Sequence, residues 1–169
     1  TSELPRDLLI NYYQTYSSFW GHYSISVANN LYGKQQAAYQ DSLFALIDHT
    51  SWDYRMSQAS YYIWRDTLKS KEIYKELLEI EEVGTPNYAM ITHSYSRLCH
   101  HQKKYDEEKK YLMLSAIADT RNATRENASL QSLALIAYDE QNLADAFKFT
   151  QSAIDDVISS GIHFRAIEI

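Results

Sequence analysis

Apolar side chains recur along this chain every three or four residues, the spacing that lays them on one face of an α-helix. Leu4-Pro5 opens the first such run, with proline in a first turn where its missing N–H costs little. Leu8, Leu9, Tyr12, Tyr13, Tyr16, Phe19, Trp20 and Tyr23 follow at helical spacing. The pattern predicts a helix reaching about Tyr32, with Gly21 a weak point and Gly33 the terminator. A second helix is expected over Lys34 to Ile47, carrying Ala38, Leu43, Leu46 and Ile47. His49-Thr50-Ser51 breaks the pattern, and the Ser51 hydroxyl can cap the next helix.

From there the chain reads as helix pairs. Trp52 to about Leu68 pairs with Ser70 to about Val83, and Gly84-Thr85-Pro86 combines a helix stop, a capping hydroxyl and a first-turn proline. Asn87 to about Gln102 pairs with Tyr105 to about Asn122, and Thr124 to about Glu140 with Leu143 to about Ser160, which Gly161 closes. Thr124 with Asn127 is half a capping box, which leaves that boundary open by about three residues. The pairs therefore span approximately 4–48, 52–83, 87–122 and 124–160, with 162–169 the start of a further helix, in a single helical-repeat domain read as a fragment of a longer chain.

The pairs repeat. Lys103-Lys104-Tyr105-Asp106-Glu107 and Gln141-Asn142-Leu143-Ala144-Asp145 each place a polar pair before an apolar anchor, and the anchors Tyr105 and Leu143 stand 38 apart. About 36 residues earlier is Lys69, where the preceding pair is expected to turn. A period in the mid-thirties with two helices per unit marks a helical solenoid, in which neighbouring pairs stack because one pair cannot bury its apolar face alone. The expected class is all-α, a right-handed superhelical stack of antiparallel helix pairs.

Leu130-x-x-Leu133-Ala134, with Ala146 and Ala153-Ile154, resembles the tetratricopeptide pattern, which puts small residues where helices cross closely. The pair before it matches at Ser96, Leu112 and Ser115-Ala116, but has Glu108 where a small residue is usual. A more specific resemblance covers nearly the whole chain. The opening Leu4-Pro5-Arg6-Asp7-Leu8-Leu9-Ile10-Asn11-Tyr12-Tyr13, the run Ala38-Tyr39-Gln40-Asp41-Ser42-Leu43, the stretch from Lys109 to Asp119 and Asn127-Ala128-Ser129-Leu130 carry it. They resemble the membrane-anchored tetratricopeptide regulators of Bacteroides-type bacteria. That resemblance implies an exported helical-repeat sensor region, periplasmic or otherwise extracytoplasmic, followed in the parent protein by a membrane span and a cytoplasmic regulatory part. The general repeat pattern by itself would also fit an intracellular scaffold for protein–protein interaction or a carbohydrate-binding helical lipoprotein.

Composition agrees with long helices: only 4 Gly and 2 Pro occur, too few for the turns of an all-β chain. A net charge of −6 argues against a nucleic-acid-binding module. No stretch approaches the roughly 20 apolar residues of a membrane span, and no signal peptide stands at Thr1. The single Cys99 allows no internal disulfide.

No sequence for a nucleophile triad, a phosphate loop or a zinc-binding helix is present, so neither catalysis nor a cofactor is expected. His93, Cys99, His100 and His101 share one predicted helix, but a single helix aims only two of them one way, short of the three or four ligands zinc needs. Asp155-Asp156 and Glu79-Glu81-Glu82 read as solvated helix faces.

In a helix-pair solenoid the first helices of successive pairs line the concave face. Taking Ser60, Ser96 and Ala134 as equivalent crossing positions, helical periodicity predicts the groove-facing residues. They are Tyr54, Ser57, Tyr61, Trp64 and Arg65 in one unit, and Met90, His93, Arg97, His100 and His101 in the next. Ala128, Gln131, Leu135, Tyr138 and Asp139 continue the strip. Guanidinium forks match carboxylates and aromatic rings stack on apolar faces, so the expected ligand is a protein or peptide segment, with an oligosaccharide as the alternative. The rings of Tyr12, Tyr16, Phe19, Trp20 and Tyr23 are expected to pack between helices, and an uncapped solenoid end is expected to self-associate weakly.

Overall fold

A computed structural model describes residues 5–27, 32–124 and 128–160. Among them the chain is all-helical: α1 (Arg6–Val27), α2 (Gly33–Leu46), α3 (Trp52–Tyr62), α4 (Thr67–Ile80), α5 (Pro86–His101), α6 (Tyr105–Arg121), α7 (Ala128–Asp139) and α8 (Leu143–Ser160). The expected helix over 162–169, the Gly161 expected to close the helix before it and the Asn127 half of the capping box lie outside the described residues, as does the side chain of Tyr23. The chain divides into two compact units, Thr1–Arg55 and Met56–Ile169.

In the first unit α1 and α2 form a hairpin. Its buried points among the described residues are Leu43 and Ser17, and the Ser17 hydroxyl donates to Gln40 Oε1 at 2.7 Å. Arg6 ties the hairpin ends together, its Nε donating to the Leu46 carbonyl at 2.9 Å. Two sequence expectations change here. Gly33 does not end a helix; it begins α2. Tyr12, Tyr16 and Phe19 are 40–53% exposed and are not core. Two of these rings do pack between the helices as expected: Tyr16 stacks on Tyr39 of α2 at 5.3 Å and Tyr12 meets the same ring edge-on at 6.1 Å, with Tyr12 tilted against Tyr16 at 4.6 Å. The next helix is capped as expected, Tyr54 N–H donating to Ser51 Oγ at 3.1 Å.

The second unit holds the repeats. Its second helices, α4, α6 and α8, begin at Thr67, Tyr105 and Leu143, each 38 residues after the last. The turn expected at Lys69 therefore falls earlier. α3 ends at Tyr62, not near Leu68, and Lys69 lies in the first turn of α4. Two residues set this. Ile63, 1% exposed, plugs into the core as the chain reverses. Asp66 then caps α4, its carboxylate accepting from Lys69 N–H at 3.0 Å. Aspartate competes with the backbone inside a helix and satisfies it at an N-cap, so this position starts a helix and cannot continue one.

The turns after α5, α6 and α7 share one geometry. Lys103, Ala123 and Gln141 adopt the left-handed conformation at φ 58°, 52° and 61°. At each, the following residue donates six-to-one back into the helix: Lys104 to Cys99, Thr124 to Asp119 and Asn142 to Ala137, all at 2.9 Å. This is the Schellman closure, which satisfies the last carbonyls of a helix. Thr124 accordingly finishes α6 and does not open α7. Between α4 and α5, Gly84 takes φ 91°, Thr85 caps α5 by accepting from Tyr88 N–H, and Pro86 occupies the first turn.

The core of this unit is made of Tyr74, Leu77, Ile91, Leu98, Leu112 and Leu133, all at most 1% exposed. Buried hydroxyls cross-link the helices: Ser70 donates to the Ala59 carbonyl at 2.8 Å, Ser115 to the Ala89 carbonyl at 3.0 Å, and Ser129 to Ser115 Oγ at 2.8 Å. Each replaces a bond to water that burial would otherwise forfeit.

Candidate functional site

Helix α5 is embedded on most of its circumference. Tyr88, Ala89, Ile91, Thr92, Tyr95, Ser96, Leu98 and Cys99 are buried. What stays open is one stripe at helical spacing: Met90, Arg97, His100 and His101 exposed, with His93 and Ser94 half-buried among them. Helix α7 repeats the arrangement, with Leu135, Tyr138 and Asp139 exposed and Ala128 and Gln131 half-buried. On α3 the stripe continues through half-buried Ser57 and Tyr61.

Trp64 and Arg65 are not on α3, because that helix has already ended; both are exposed in the turn before α4. The turn carries the Trp64 ring to the end of α5, edge-on to His101 with centroids 4.4 Å apart. Arg65 folds back on its own turn. Its guanidinium lies 3.9 Å from the centre of the Tyr61 ring, and Nη1 donates to the Tyr61 carbonyl at 3.1 Å. Tyr54 belongs to the first unit, where its ring stacks on His49 at 4.4 Å and meets Phe44 edge-on at 5.3 Å.

His100 is spoken for. Its Nδ1 sits 3.0 Å from the carboxylate of Glu108, the residue standing where a tetratricopeptide repeat usually has a small side chain. The equivalent position 38 residues later is Ala146, buried as the pattern asks. Glu108 fits because its carboxylate leaves the crossing along the open face and finds the imidazole.

Beneath the stripe lies a polar floor that periodicity does not reveal. Tyr74 of α4 is fully buried, but its hydroxyl reaches Ser60 Oγ at 3.0 Å. Burial raises the Tyr74 pKa, while the Ser60 bond, the Arg97 charge and the Ser94 hydroxyl pull the other way. Arg97 itself is exposed and makes no hydrogen bond or ion pair among the described residues. Sequence reasoning had placed Ser60 only as a small crossing residue and had no role for Tyr74 or Ser94. The one available signal was a tyrosine amid the apolar face of α4, since a buried tyrosine hydroxyl needs a partner.

Helix pairs recurring every 38 residues form a helical repeat, a little longer than the roughly 34-residue tetratricopeptide unit. The family model described as the SusR N-terminal TPR domain matches residues 1–169. The chain belongs to this family. Comparison with curated proteins gives no match, and neither does comparison with solved structures.

In this SusR N-terminal TPR domain His93, Cys99, His100 and His101 do not converge. Cys99 is buried, its thiol pushed up to about 11, first by burial and then by the charge of Glu107, whose carboxylate lies 4.0 Å from Sγ. His100 and His101 are on the open face. No group of three or more histidine, cysteine or carboxylate side chains among the described residues is placed to hold a metal ion. No helix among them is long and apolar enough to cross a membrane. TPR domains are repeat folds that bind proteins.

Proposed function

We propose that this TPR domain is a non-catalytic binding module and serves as the extracytoplasmic sensor part of a membrane-anchored transcriptional regulator. Its binding face is the stripe of Tyr61, Trp64, Arg65, His93, Arg97 and His100, continued on α7 by Gln131 and Tyr138. The observation that supports this reading is the asymmetry of α5, buried all round except for one row that mixes a thioether, a guanidinium and imidazoles. A row that mixes apolar and cationic groups suits an extended protein or peptide segment, which offers both kinds of side chain. The exposed face of Trp64 would also stack on a sugar ring, which keeps an oligosaccharide as the second reading.

Occupation of the stripe would alter how successive helix pairs stack, because each repeat touches only its neighbours. The test is thermal melting against a panel of peptides and oligosaccharides, since a ligand that binds only the folded state raises the midpoint. Trp64→Ala combined with Arg97→Ala should abolish the shift. An undiminished shift in that double variant would move the site elsewhere. The location is tested by fusing a reporter that is active only outside the cytoplasm to the domain in its full-length protein; an inactive fusion would place the domain inside.

A further inference from the structure

Helix α1 keeps an apolar row open. Leu8, Tyr12, Tyr16 and Phe19 stand at helical spacing along it and are 40–55% exposed. Tyr12 and Tyr16 lean on Tyr39 of α2, which holds the rings without covering them. Beside them lie Asn11, Thr15 and Ser18, also exposed. The row carries no charge. From Leu8 to Gly33 the sequence has no Asp, Glu, Lys or Arg, although 22% of the chain is charged. A solvated helix face is normally rich in such residues, whereas the buried centre of a protein contact is depleted of them and rich in Tyr and Phe.

We propose that this flank of α1 is a contact between two copies of the chain, with the two α1 helices antiparallel across a two-fold axis. The face lies in the first unit and does not involve the α5 stripe. Three features select a second copy. The spacing of the row reads nearly the same in both directions, so reversing one helix sets each Leu8 against the partner's Phe19 and each Tyr12 against the partner's Tyr16. The polar groups in the row are hydroxyls and a side-chain amide, each both donor and acceptor, so each can pair with its own kind. A charged partner would bury its charge with no counter-ion on this face. Helices that lie on lipid carry Lys and Arg along their polar edge, and α1 has none from Leu8 to Val27. The open parts of the four large side chains amount to about 400 Å² on each copy, which puts the contact near the lower end of specific interfaces and makes the association weak. Each copy has a net charge of −6, so added salt should tighten a contact that itself has no ion pair to screen.

Sedimentation equilibrium of the 169-residue domain reads the contact directly. The mass should rise with concentration from 19.7 kDa towards twice that value. Leu8→Glu and Phe19→Lys each change an exposed side chain, so both variants should keep the parent's melting curve while self-associating roughly ten-fold or more weakly. Mixed together they should recover association, because the reversed pairing sets one new charge against the other. Ile158→Glu, on the exposed row of α8, should leave association unchanged. A monomer at every concentration up to about 1 mM would overturn the contact with a second copy. Association kept in Leu8→Glu, whatever Ile158→Glu does, would overturn the choice of face. A mixture no heavier than its parts would overturn the antiparallel pairing. Binding to phosphatidylcholine vesicles that Leu8→Glu abolishes would give the face to a lipid surface and would likewise overturn the second copy.

Discussion

Lys103 and Gln141 occupy the same place in successive repeats, 38 residues apart, and both are held in a left-handed backbone conformation that disfavours a side chain. Each closes the first helix of its pair through an identical set of Schellman bonds. Left-handed geometry costs an L-residue on the order of 1 kcal/mol, whereas glycine adopts it freely. Lys103→Gly and Gln141→Gly should therefore each stabilise the domain by about 0.5–1 kcal/mol, net of the extra freedom glycine has when unfolded. Thermal melting should show a rise of about 2–4 °C per kcal/mol. Gly84→Ala should do the reverse. Its φ of 91° strains any side chain, and the nearest atom to the new Cβ would be Arg121 Nη1 at 3.9 Å, so the cost is in the backbone and not in a clash. A fall in midpoint for both glycine variants would contradict the account of the turns.

The pairing of Glu108 with His100 should appear as coupling. Removing His100 leaves a carboxylate that is only 13% exposed without its partner, so His100→Ala should cost about 1 kcal/mol. Glu108→Ala puts at the crossing the small residue its repeat-mate Ala146 already supplies, and should cost less. The double variant should then be no less stable than His100→Ala alone. A urea double-mutant cycle measures this, and strict additivity of the two single effects would remove the pair from the structure's energetics.

Asp119 should make stability depend on pH. Burial in the last turn of α6 raises its pKa to about 6; Ser115 opposes the rise and Asp156 adds to it. The folded state therefore holds this proton more tightly than the unfolded chain, whose carboxyl titrates near 3.8. The ionised form is a penalty present above about pH 6, relieved as pH falls through that value and gone below about 4. Asp119→Asn should be more stable than the parent at pH 7.5, by on the order of 1 kcal/mol or less once solvent screening is allowed for. The advantage should vanish by about pH 4. A gap that stays constant across that range would assign the effect to shape and not to charge.

Cys99 should be chemically silent. It is 2% exposed and its thiol is pushed up to about 11, so little thiolate exists at neutral pH. A disulfide reagent at pH 8 should react roughly a hundred-fold or more slowly with the folded domain than with the urea-unfolded chain. Comparable rates would show that α5 opens readily.

Much of the architecture was legible in the sequence because its signals act over a few residues. Thr85 and Pro86 announce the start of α5 through one side-chain cap and one missing N–H. The 3.6-residue rhythm put Met90, Arg97, His100 and His101 on one face of α5, and all four are exposed. The anchors Tyr105 and Leu143 carried the 38-residue period. The turn after Tyr62 escaped because Trp64 and Leu68 extend the apolar rhythm past the true stop, and the cap Asp66 sits inside that rhythm.

The sequence by itself determined that this chain is helical, where most helices begin, and that they repeat in pairs. Caps, glycines and periodicity are local, and each works within one or two turns of backbone. Only the tertiary structure decided which exposed groups have partners. Arg65 is folded on Tyr61, His100 is held by Glu108, Trp64 rests against His101, and the buried Tyr74 hydroxyl of α4 meets Ser60 of α3. Most of these partners come from different elements, and their meeting depends on how those elements pack. No local pattern along the chain encodes such an arrangement, because it is set by contacts between residues remote in sequence.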